Sequence, residues 1–337
     1  MSQNDEIATA SQRRRRLRLW AATALACLAM VTPMARWGAR RFWFLDLLTH
    51  FPEPSALLSV VAALALVRAK KARFALPFVA LAAWQLFAVA RFYAPNPVQA
   101  DPESPVRLRI LMANLYYVND RYDLLADLIR RERPDVVGLV EVSTKWVEGL
   151  EATGIRSEYP YRLELPFGGQ GVALWLREPP YRIEPPQVYS IPGNPVIVAV
   201  LKLGDKLVSL WLVHPPNPIG SGKARANPDL VALMEQVGLR EGSRIVVGDL
   251  NRTEGSPYFD DFLKVTRLRD SRIGFGRQGT WPTWSPYRIP IDHAFLTDDL
   301  AVVNRRIGPW IGSDHRPLLI EVAPALEPAS PSAKTTN

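Results

Sequence analysis

The chain has 337 residues, more than one typical domain, and a formal net charge of +8 at pH 7. The first hundred residues contain 13 Lys and Arg against 4 Asp and Glu, and the remaining residues contain 28 against 29, so the second part lacks the overall positive charge typical of a polyanion-binding domain. Cys27 is the only cysteine, which excludes an internal disulfide bond and a thiolate metal cluster.

Three apolar segments lie in the first hundred residues, behind a cluster of five arginines at 13–18. They are Leu19–Ala35, Ser55–Val67 and Phe74–Ala90. A membrane-spanning helix needs about 20 mostly apolar residues, so the second segment needs its flanking residues to span. A cleavable signal peptide is less favoured because two more apolar segments follow the first, and a buried helical hairpin is less favoured because no segment has a polar face. We predict a basic cytoplasmic N-terminus at 1–16 and three transmembrane helices within 17–92.

The basic residues predict the orientation of these helices. The arginines at 13–18 and the sequence RAKKAR at 68–73 should both be cytoplasmic, since positive charge is retained on that side. Residues after about 92 would then be extracytoplasmic, and they would be cytoplasmic if the second segment does not cross. The proline-rich residues 93–106 are predicted to be a linker, and the low-complexity residues 324–337 a disordered tail.

Between residues 107 and 323, apolar strands alternate with amphipathic helices. In the first helix, for example, Leu124, Leu125, Leu128 and Ile129 share one face. The predicted strands are VRLRILMAN, DVVGLVEV, GQGVALWLR, NPVIVAVLKL, KLVSLWLVH, SRIVVGDL, PIDHAFLT and RPLLIEV, and the predicted helices are YDLLADLIRRERPD, NPDLVALMEQVG and SPYFDDFLKVTRL. This alternation predicts an α/β domain, either a two-sheet α/β sandwich or a doubly wound sheet.

Polar residues occur at the ends of six of these strands, where loops collect functional groups on a rigid scaffold. They are Asn114, Glu141, His214, Asp249, Asn251, Asp292, Asp314 and His315. Taken one at a time, each is more simply a turn residue or a packed rim residue, but their recurrence at strand ends favours a common site. Oxygen ligands without sulfur favour Mg²⁺, Mn²⁺ or Ca²⁺ over zinc, and such a metal with a base and an imidazolium suits phosphoryl hydrolysis.

Seven segments occur in the order typical of one protein family. NLYYVN, VVGLVEV, LVHPPNP, VVGDLN, TWP, IPIDHAF and IGSDHRPL resemble the motifs of the endonuclease/exonuclease/phosphatase superfamily, which has the deoxyribonuclease-I-like fold. With its N-terminal apolar segments, the chain resembles bacterial membrane-anchored members. The resemblance implies a two-sheet α/β sandwich at 107–323, a catalytic domain outside the bacterial inner membrane, and Mg²⁺ or Mn²⁺ bound by Glu141 with Asn114 and Asp314.

The resemblance also implies roles for five further residues. Asp249 would orient or deprotonate the attacking water, and Asn251 would hold a phosphate oxygen. Asp292 would pair with His315 and keep it cationic, and His214 would donate to the phosphate from the opposite side. Trp281 and Trp284 in TWPTW suit stacking on a substrate or simple packing equally well.

These features predict a membrane-anchored, metal-dependent enzyme that hydrolyses a phosphodiester in nucleic acid or in a phospholipid head group. A phosphomonoesterase, or a catalytically silent binding or sensing module of the same fold, is the alternative. No obligate protein partner is evident; the lipid bilayer is the expected partner of the N-terminal helices. The near-neutral second part argues against tight duplex binding, although a local basic patch stays open at Arg267, Arg269, Arg272, Arg277 and Arg288.

Overall fold

The computed structural model describes residues 3–184, 187–188, 195–219 and 226–326. The chain divides into two compact units. The first consists of the residues up to Tyr93 together with Thr253–Asp260, and the second of Ala94–Arg252 and the residues from Asp261 onward. Residues 327–337, which form most of the predicted tail, lie outside the described residues.

The N-terminal part of the first unit is helical. Its helices are α1 (Gln3–Ala29), α2 (Val31–Gly38), α3 (Trp43–Leu47), α4 (Pro52–Arg68) and α5 (Leu76–Ala90), with 3-10 turns at Ala72–Phe74 and Arg91–Tyr93. Among the described residues, two segments are long and apolar enough to cross a membrane, judged by length and composition: Gln12–Gly38 and Ala72–Tyr93. The second predicted span forms α4, which has only 17 residues. The structure therefore supports two of the three predicted spans as candidates.

Helix α4 packs against both α1 and α5 through small buried residues. Ser55 and Ser59 lie on this face with three alanines, and small side chains let helix backbones approach closely. The amide of Gln85 in α5 donates a 2.7 Å hydrogen bond to Ser55 Oγ.

The second unit contains two mixed β-sheets. In chain order its strands are β1 (Leu108–Asn114), β2 (Val136–Val140), β3 (Tyr161–Leu165), β4 (Val172–Leu176), β5 (Arg182–Ile183), β6 (Gln187–Val188), β7 (Pro195–Leu203), β8 (Lys206–Val213), β9 (Ser243–Asp249), β10 (Arg269–Asp270), β11 (Asp292–Leu296), β12 (Leu300–Ile307) and β13 (Leu318–Pro324). The first sheet has the order β12-β13-β1-β2-β4-β3, and the second has the order β10-β11-β9-β8-β7-β5, with β6 paired to β7.

The helices of the second unit are α6 (Tyr122–Glu132), α7 (Thr144–Ala152) and α8 (Ala226–Leu239), with 3-10 turns at Ile155–Glu158 and Gly168–Gln170. Helix α9 (Pro257–Thr266) begins in the first unit and ends in the second. One apolar core lies between the two sheets and joins residues such as Ile110 and Met112 of the first sheet to Leu210 and Val247 of the second. A second core joins the other face of the first sheet to α6 and α7, with Trp146 fully buried. Two packed sheets flanked by helices form an α/β sandwich, which confirms the predicted fold class and excludes the doubly wound alternative.

The strand directions explain why the polar residues collect at one edge. Strands β1 and β2 are parallel neighbours in one sheet, and β8 and β9 are parallel neighbours in the other. Strands β13 and β11 run antiparallel to β1 and β9, so each begins where its neighbour ends. Residues that follow the four parallel strands and residues that precede the two antiparallel strands therefore share an edge in each sheet.

Candidate active site at the strand ends

Asn114, the last residue of β1, connects the two sheets. Its Nδ2 lies 3.0 Å from Glu141 Oε1 after β2 and 3.0 Å from Asp249 Oδ2 at the end of β9. Its Oδ1 accepts from the backbone N–H of Tyr116 at 3.0 Å. With 1% of its surface exposed, Asn114 is a buried amide whose hydrogen bonds hold a carboxylate of each sheet in place.

Glu141 and Asn251 both have left-handed backbone conformations, with φ of 58° and 54°. Such conformations are rare for residues other than glycine and are often retained at functional sites. At Glu141 the turn directs Oε2 to the backbone N–H of Tyr117, at 3.3 Å. Burial raises the pKa of Glu141, and the hydrogen bond from Asn114 acts against this shift. The site therefore holds a carboxylate whose negative charge a nearby cation would stabilise.

Asp314 lies beside Glu141, close enough for its negative charge to raise the pKa of Glu141 further. Its Oδ2 accepts a 3.1 Å hydrogen bond from Trp281 Nε1. Its Oδ1 is buried and has no hydrogen-bond partner among the described residues. A buried carboxylate oxygen without a donor is costly, so this atom is a suitable metal ligand.

Asp292 and His315 form a buried pair. His315 Nδ1 lies 2.8 Å from Asp292 Oδ2, and both residues are at most 5% exposed. Burial by itself would lower the pKa of His315, but the charge and hydrogen bond of Asp292, with the charge of Asp249, raise it to about 10. The imidazole is therefore protonated at neutral pH, with Nε2–H directed toward Asp249 Oδ2 at 3.8 Å.

Asp249 lies at the centre of the site. Its Oδ1 accepts from the backbone N–H of Asn251 at 2.8 Å. Burial and the negative charge of Asp292 raise the pKa of Asp249, despite the opposing charge of His315. The preceding residue must be glycine, because a Cβ at Gly248 would lie 1.8 Å from the carbonyl oxygen of Val213. This close approach of β9 to β8 sets the position of Asp249.

His214 follows β8 and faces Asp249 from the other side. Its Nε2 lies 3.9 Å from Asp249 Oδ2, and its side chain is 5% exposed. Burial and the positive charge of His315 lower the pKa of His214 to about 4. The two histidines therefore differ at neutral pH: His214 is neutral and His315 is a cation.

All eight residues predicted from the sequence lie at this common edge. Asp249, Asp292 and His315 also have ligand atoms within 4.8 Å of one another, a spacing that could hold a metal ion. Ser313 is not among the predicted residues, and its Oγ donates to Asn114 O at 2.8 Å and accepts from the backbone N–H of His315 at 3.0 Å. Only its place within SDH, beside Asp314 and His315, could have indicated it.

The five arginines that could form a basic patch differ in their exposure. Only Arg267 is exposed. Arg272 is fully buried and pairs with Asp270 at 2.8 Å, and the Nε of Arg269 lies 3.1 Å from Asp298. Arg269 and Arg272 are therefore engaged with carboxylates of the second unit, whereas Arg277 and Arg288 are partly exposed, and a basic patch in this segment stays a prediction.

A model of the endonuclease/exonuclease/phosphatase family matches residues 113–315, which is more than half of the chain. The match includes all eight site residues. No curated protein sequence matches the chain significantly.

Solved structures of similar fold cover about two thirds of the chain. An AP endonuclease from Archaeoglobus fulgidus superposes with a TM-score of 0.54 and 14% identity, over 63% of this chain and 98% of that one. D. rerio TDP2, solved with a single-strand DNA product, superposes with a TM-score of 0.53 and 17% identity. The match covers 64% of this chain and 98% of that one. An endonuclease/exonuclease/phosphatase from Bacteroides vulgatus superposes with a TM-score of 0.52 and 17% identity. The match covers 65% of this chain and 99% of that one. At these identities the likeness shows the shared fold.

Proposed function

The chain belongs to the endonuclease/exonuclease/phosphatase family, and on this basis we propose that it is a divalent-metal-dependent phosphoesterase that hydrolyses a phosphodiester and is anchored in a membrane by its N-terminal helices. The observation that carries the proposal is the buried Asp292–His315 pair directed at Asp249, with the carboxylates of Glu141 and Asp314 beside it. A protonated imidazole, a carboxylate of raised pKa and a further pair of carboxylates are the groups that hydrolysis of a phosphate ester uses.

Two sets of residues compete for the metal, and the charges favour one of them. In the set Asp249, Asp292 and His315, the imidazole is cationic and its Nδ1 already bonds Asp292, so a metal there would meet positive charge. Glu141 and Asp314 with Asn114 offer oxygen atoms, including the unpartnered Oδ1 of Asp314. We assign Mg²⁺, or Mn²⁺, to this second set. When bound, the ion would polarise a phosphate oxygen and offset its negative charge.

Asp249 is the proposed base. Its raised pKa suits proton transfer near neutral pH, because a general base works best when its pKa is close to the pH of the reaction. Hydrogen bonds from Asn114 and from the backbone of Asn251 keep both oxygens oriented. Asp249 would orient a water molecule and accept its proton as the water oxygen attacks phosphorus. The ester P–O bond on the opposite side of phosphorus breaks, and the alcohol of the ester leaves.

His315, His214 and Asn251 would hold the phosphate. The cationic Nε2–H of His315 stabilises negative charge that develops on the phosphoryl oxygens, and Asp292 fixes its tautomer. Neutral His214 donates one hydrogen bond from the opposite side. The Nδ2 of Asn251 donates to Pro215 O at 3.2 Å, which orients its amide, and Asn251 would hold a phosphate oxygen.

Two observations point to different phosphodiesters. TDP2 from D. rerio was solved with a single-strand DNA product, which favours nucleic acid as a substrate class. The two apolar N-terminal segments favour a substrate at the bilayer, such as a phospholipid head group. A phosphomonoesterase is the alternative activity. A catalytically silent module is disfavoured because all eight residues are present and lie together.

The test is hydrolysis by the full-length protein in detergent. Substrates would be bis(p-nitrophenyl) phosphate, p-nitrophenyl phosphate, single-stranded and plasmid DNA and a phospholipid panel, each with Mg²⁺, Mn²⁺ or EDTA. We expect metal-dependent diester hydrolysis that falls at least about a hundredfold in His315→Ala and in Glu141→Ala. Glu148→Ala, at an exposed helix position, is the control and should match the wild type. Turnover in EDTA, or full activity in both site variants, would reject the proposal.

A further inference from the structure

The first unit contains a buried polar cluster that the proposed chemistry does not use. It consists of Asp46 in α3 and His50, which follows α3, with Thr253 and Ser256 from the segment Thr253–Asp260, which belongs to the same unit. Each of the four residues is at most 5% exposed. Buried polar groups are expensive unless they are paired, so such a cluster needs a structural or functional reason.

His50 holds the start of this segment by a specific pair of contacts. Its Nδ1 lies 3.1 Å from the backbone nitrogen of Thr253 and 3.0 Å from Thr253 Oγ1. A backbone N–H can only donate, so Nδ1 is the acceptor and the ring proton is on Nε2. The ring is thus held in one tautomer, in which Nδ1 accepts a hydrogen bond from the backbone N–H of Thr253.

Asp46 holds the segment three residues further on. Its Oδ1 accepts a 2.7 Å hydrogen bond from Ser256 Oγ. Between the two attachment points, a Cβ at Gly255 would lie 1.8 Å from the carbonyl oxygen of Thr49. The two backbones are therefore in direct contact, and the segment from Thr253 to Ser256 has little freedom to move.

This segment continues directly from two proposed catalytic residues. Thr253 comes two positions after Asn251, which has a left-handed backbone, and four positions after Asp249, which ends β9. The short peptide between them is therefore held by a β-sheet at one end and by His50 at the other. A strained backbone stays in place only where its surroundings hold it firmly.

We propose that Asp46 and His50 are positioning residues, which hold Thr253–Ser256 and through it keep Asn251 and Asp249 in the geometry that hydrolysis requires. This inference rests on the proposed function. Misplacing a reacting group by about 1 Å can lower the rate about a hundredfold, so loss of these contacts should be visible in the kinetics.

The kinetic test compares variants of the full-length protein in detergent. His50→Ala should lower kcat about tenfold or more and raise KM for bis(p-nitrophenyl) phosphate, because Asn251 would contact the phosphate. If His50→Ala only unfolded part of the protein, the fraction of active enzyme would fall and KM would stay unchanged, so the change in KM separates the two explanations. His50→Asn should recover most of the activity, since its Oδ1 replaces Nδ1 as an acceptor, and His50→Gln should not, because its longer side chain moves the amide.

Two serines provide a matched control. Ser256→Ala removes a fully buried hydroxyl that bonds Asp46, and Ser59→Ala removes a fully buried hydroxyl that bonds Ser55 O within α4. Ser256→Ala should lower kcat several-fold, and Ser59→Ala should match the wild type. Equal effects of the two substitutions, or wild-type kinetics in His50→Ala, would overturn the inference.

Hydrogen exchange tests the same contacts without any substrate. In His50→Ala the amide of Thr253 should exchange at least about tenfold faster, while the amides of β9 stay as protected as in the wild type. His50→Asn should restore the protection. If the wild type hydrolyses no phosphodiester, the proposed function fails while exchange still decides whether His50 holds the segment. An unchanged rate at Thr253 would reject the positioning role, whatever the activity.

Discussion

Trp281 and Trp284 are indistinguishable in the sequence, where both belong to TWPTW, yet the structure separates them. Trp281 donates through Nε1 to Asp314 Oδ2, and its ring centroid lies 6.4 Å from that of His315. Trp284, three positions later, is 81% exposed. At this scale the sequence identifies residue types that suit the chemistry, and the fold selects which of two identical side chains orients a proposed ligand.

Replacing Trp281 by Phe should weaken metal binding. The substitution keeps an aromatic ring and removes the only donor that the described residues provide to Asp314 Oδ2. Loss of a group that orients a metal ligand typically costs about 10- to 100-fold in metal affinity. The Mg²⁺ concentration for half-maximal activity should rise accordingly in Trp281→Phe and stay unchanged in Trp284→Phe. A rise of equal size in both variants would assign the effect to general packing.

At the scale of secondary structure, the predicted elements formed where the sequence pattern was strongest. All eight predicted strands and all three predicted helices of the catalytic part are present. Strands β3 and β12 were missed, and both lie at the edges of the first sheet. Edge strands have less apolar surface to bury, so YRLEL and LAVVNRRI carry polar residues that hide the pattern. Strands β5, β6 and β10 have two residues each, too few for any periodicity.

The buried pair of Asp270 and Arg272 predicts a pH dependence of stability. Burial by itself would raise the pKa of Asp270, but the guanidinium of Arg272 lowers it from 3.8 to about 2. Because the pKa is lower in the folded state, the stabilisation is complete above about pH 4 and is lost as the pH falls toward 2. Asp270→Asn should lower the melting temperature by several degrees at pH 7, and this difference should shrink between pH 4 and pH 2.

Asp298→Asn is the control for this measurement. Asp298 pairs with Arg269, but its side chain is 83% exposed, and exposed ion pairs contribute little to stability. The melting temperature of the Asp298→Asn variant should stay close to that of the wild type from pH 7 to pH 2. A difference between Asp270→Asn and the wild type that stays constant down to pH 2 would contradict the assignment of the ion pair.

At the scale of the whole molecule, charge and hydropathy divide the chain in the same way. The excess of basic residues lies in the first hundred positions, together with the two segments of the described chain that are long and apolar enough to span a membrane. The family match begins at residue 113. The candidate spans and the family match therefore lie in different parts of the chain, and the proposed orientation of the second part follows from the proposed topology.

The single cysteine makes this topology measurable. Cys27 lies in α1, within the first candidate span, so lipid should shield it from a membrane-impermeant maleimide. Glu103→Cys places a second thiol at an exposed position after the last candidate span. In spheroplasts, the wild type should stay unlabelled and the Glu103→Cys variant should react from outside. Labelling of Glu103→Cys only after lysis would place the catalytic part in the cytoplasm.

The sequence by itself determined which segments are apolar, which segments alternate apolar with polar residues, and which polar residues follow strands. Those properties are local, because they depend on periodicity and burial within about ten residues. The tertiary structure decided the contacts between distant residues. These are the register that sets Asp249 opposite Asp292, the hydrogen bonds from the amide of Asn114 to a carboxylate in each sheet, and the hydrogen bond from the backbone of Thr253 to His50. It also decided that Arg272 is buried, because whether a basic residue faces solvent or a partner depends on the packing of sheets and helices that no single segment encodes.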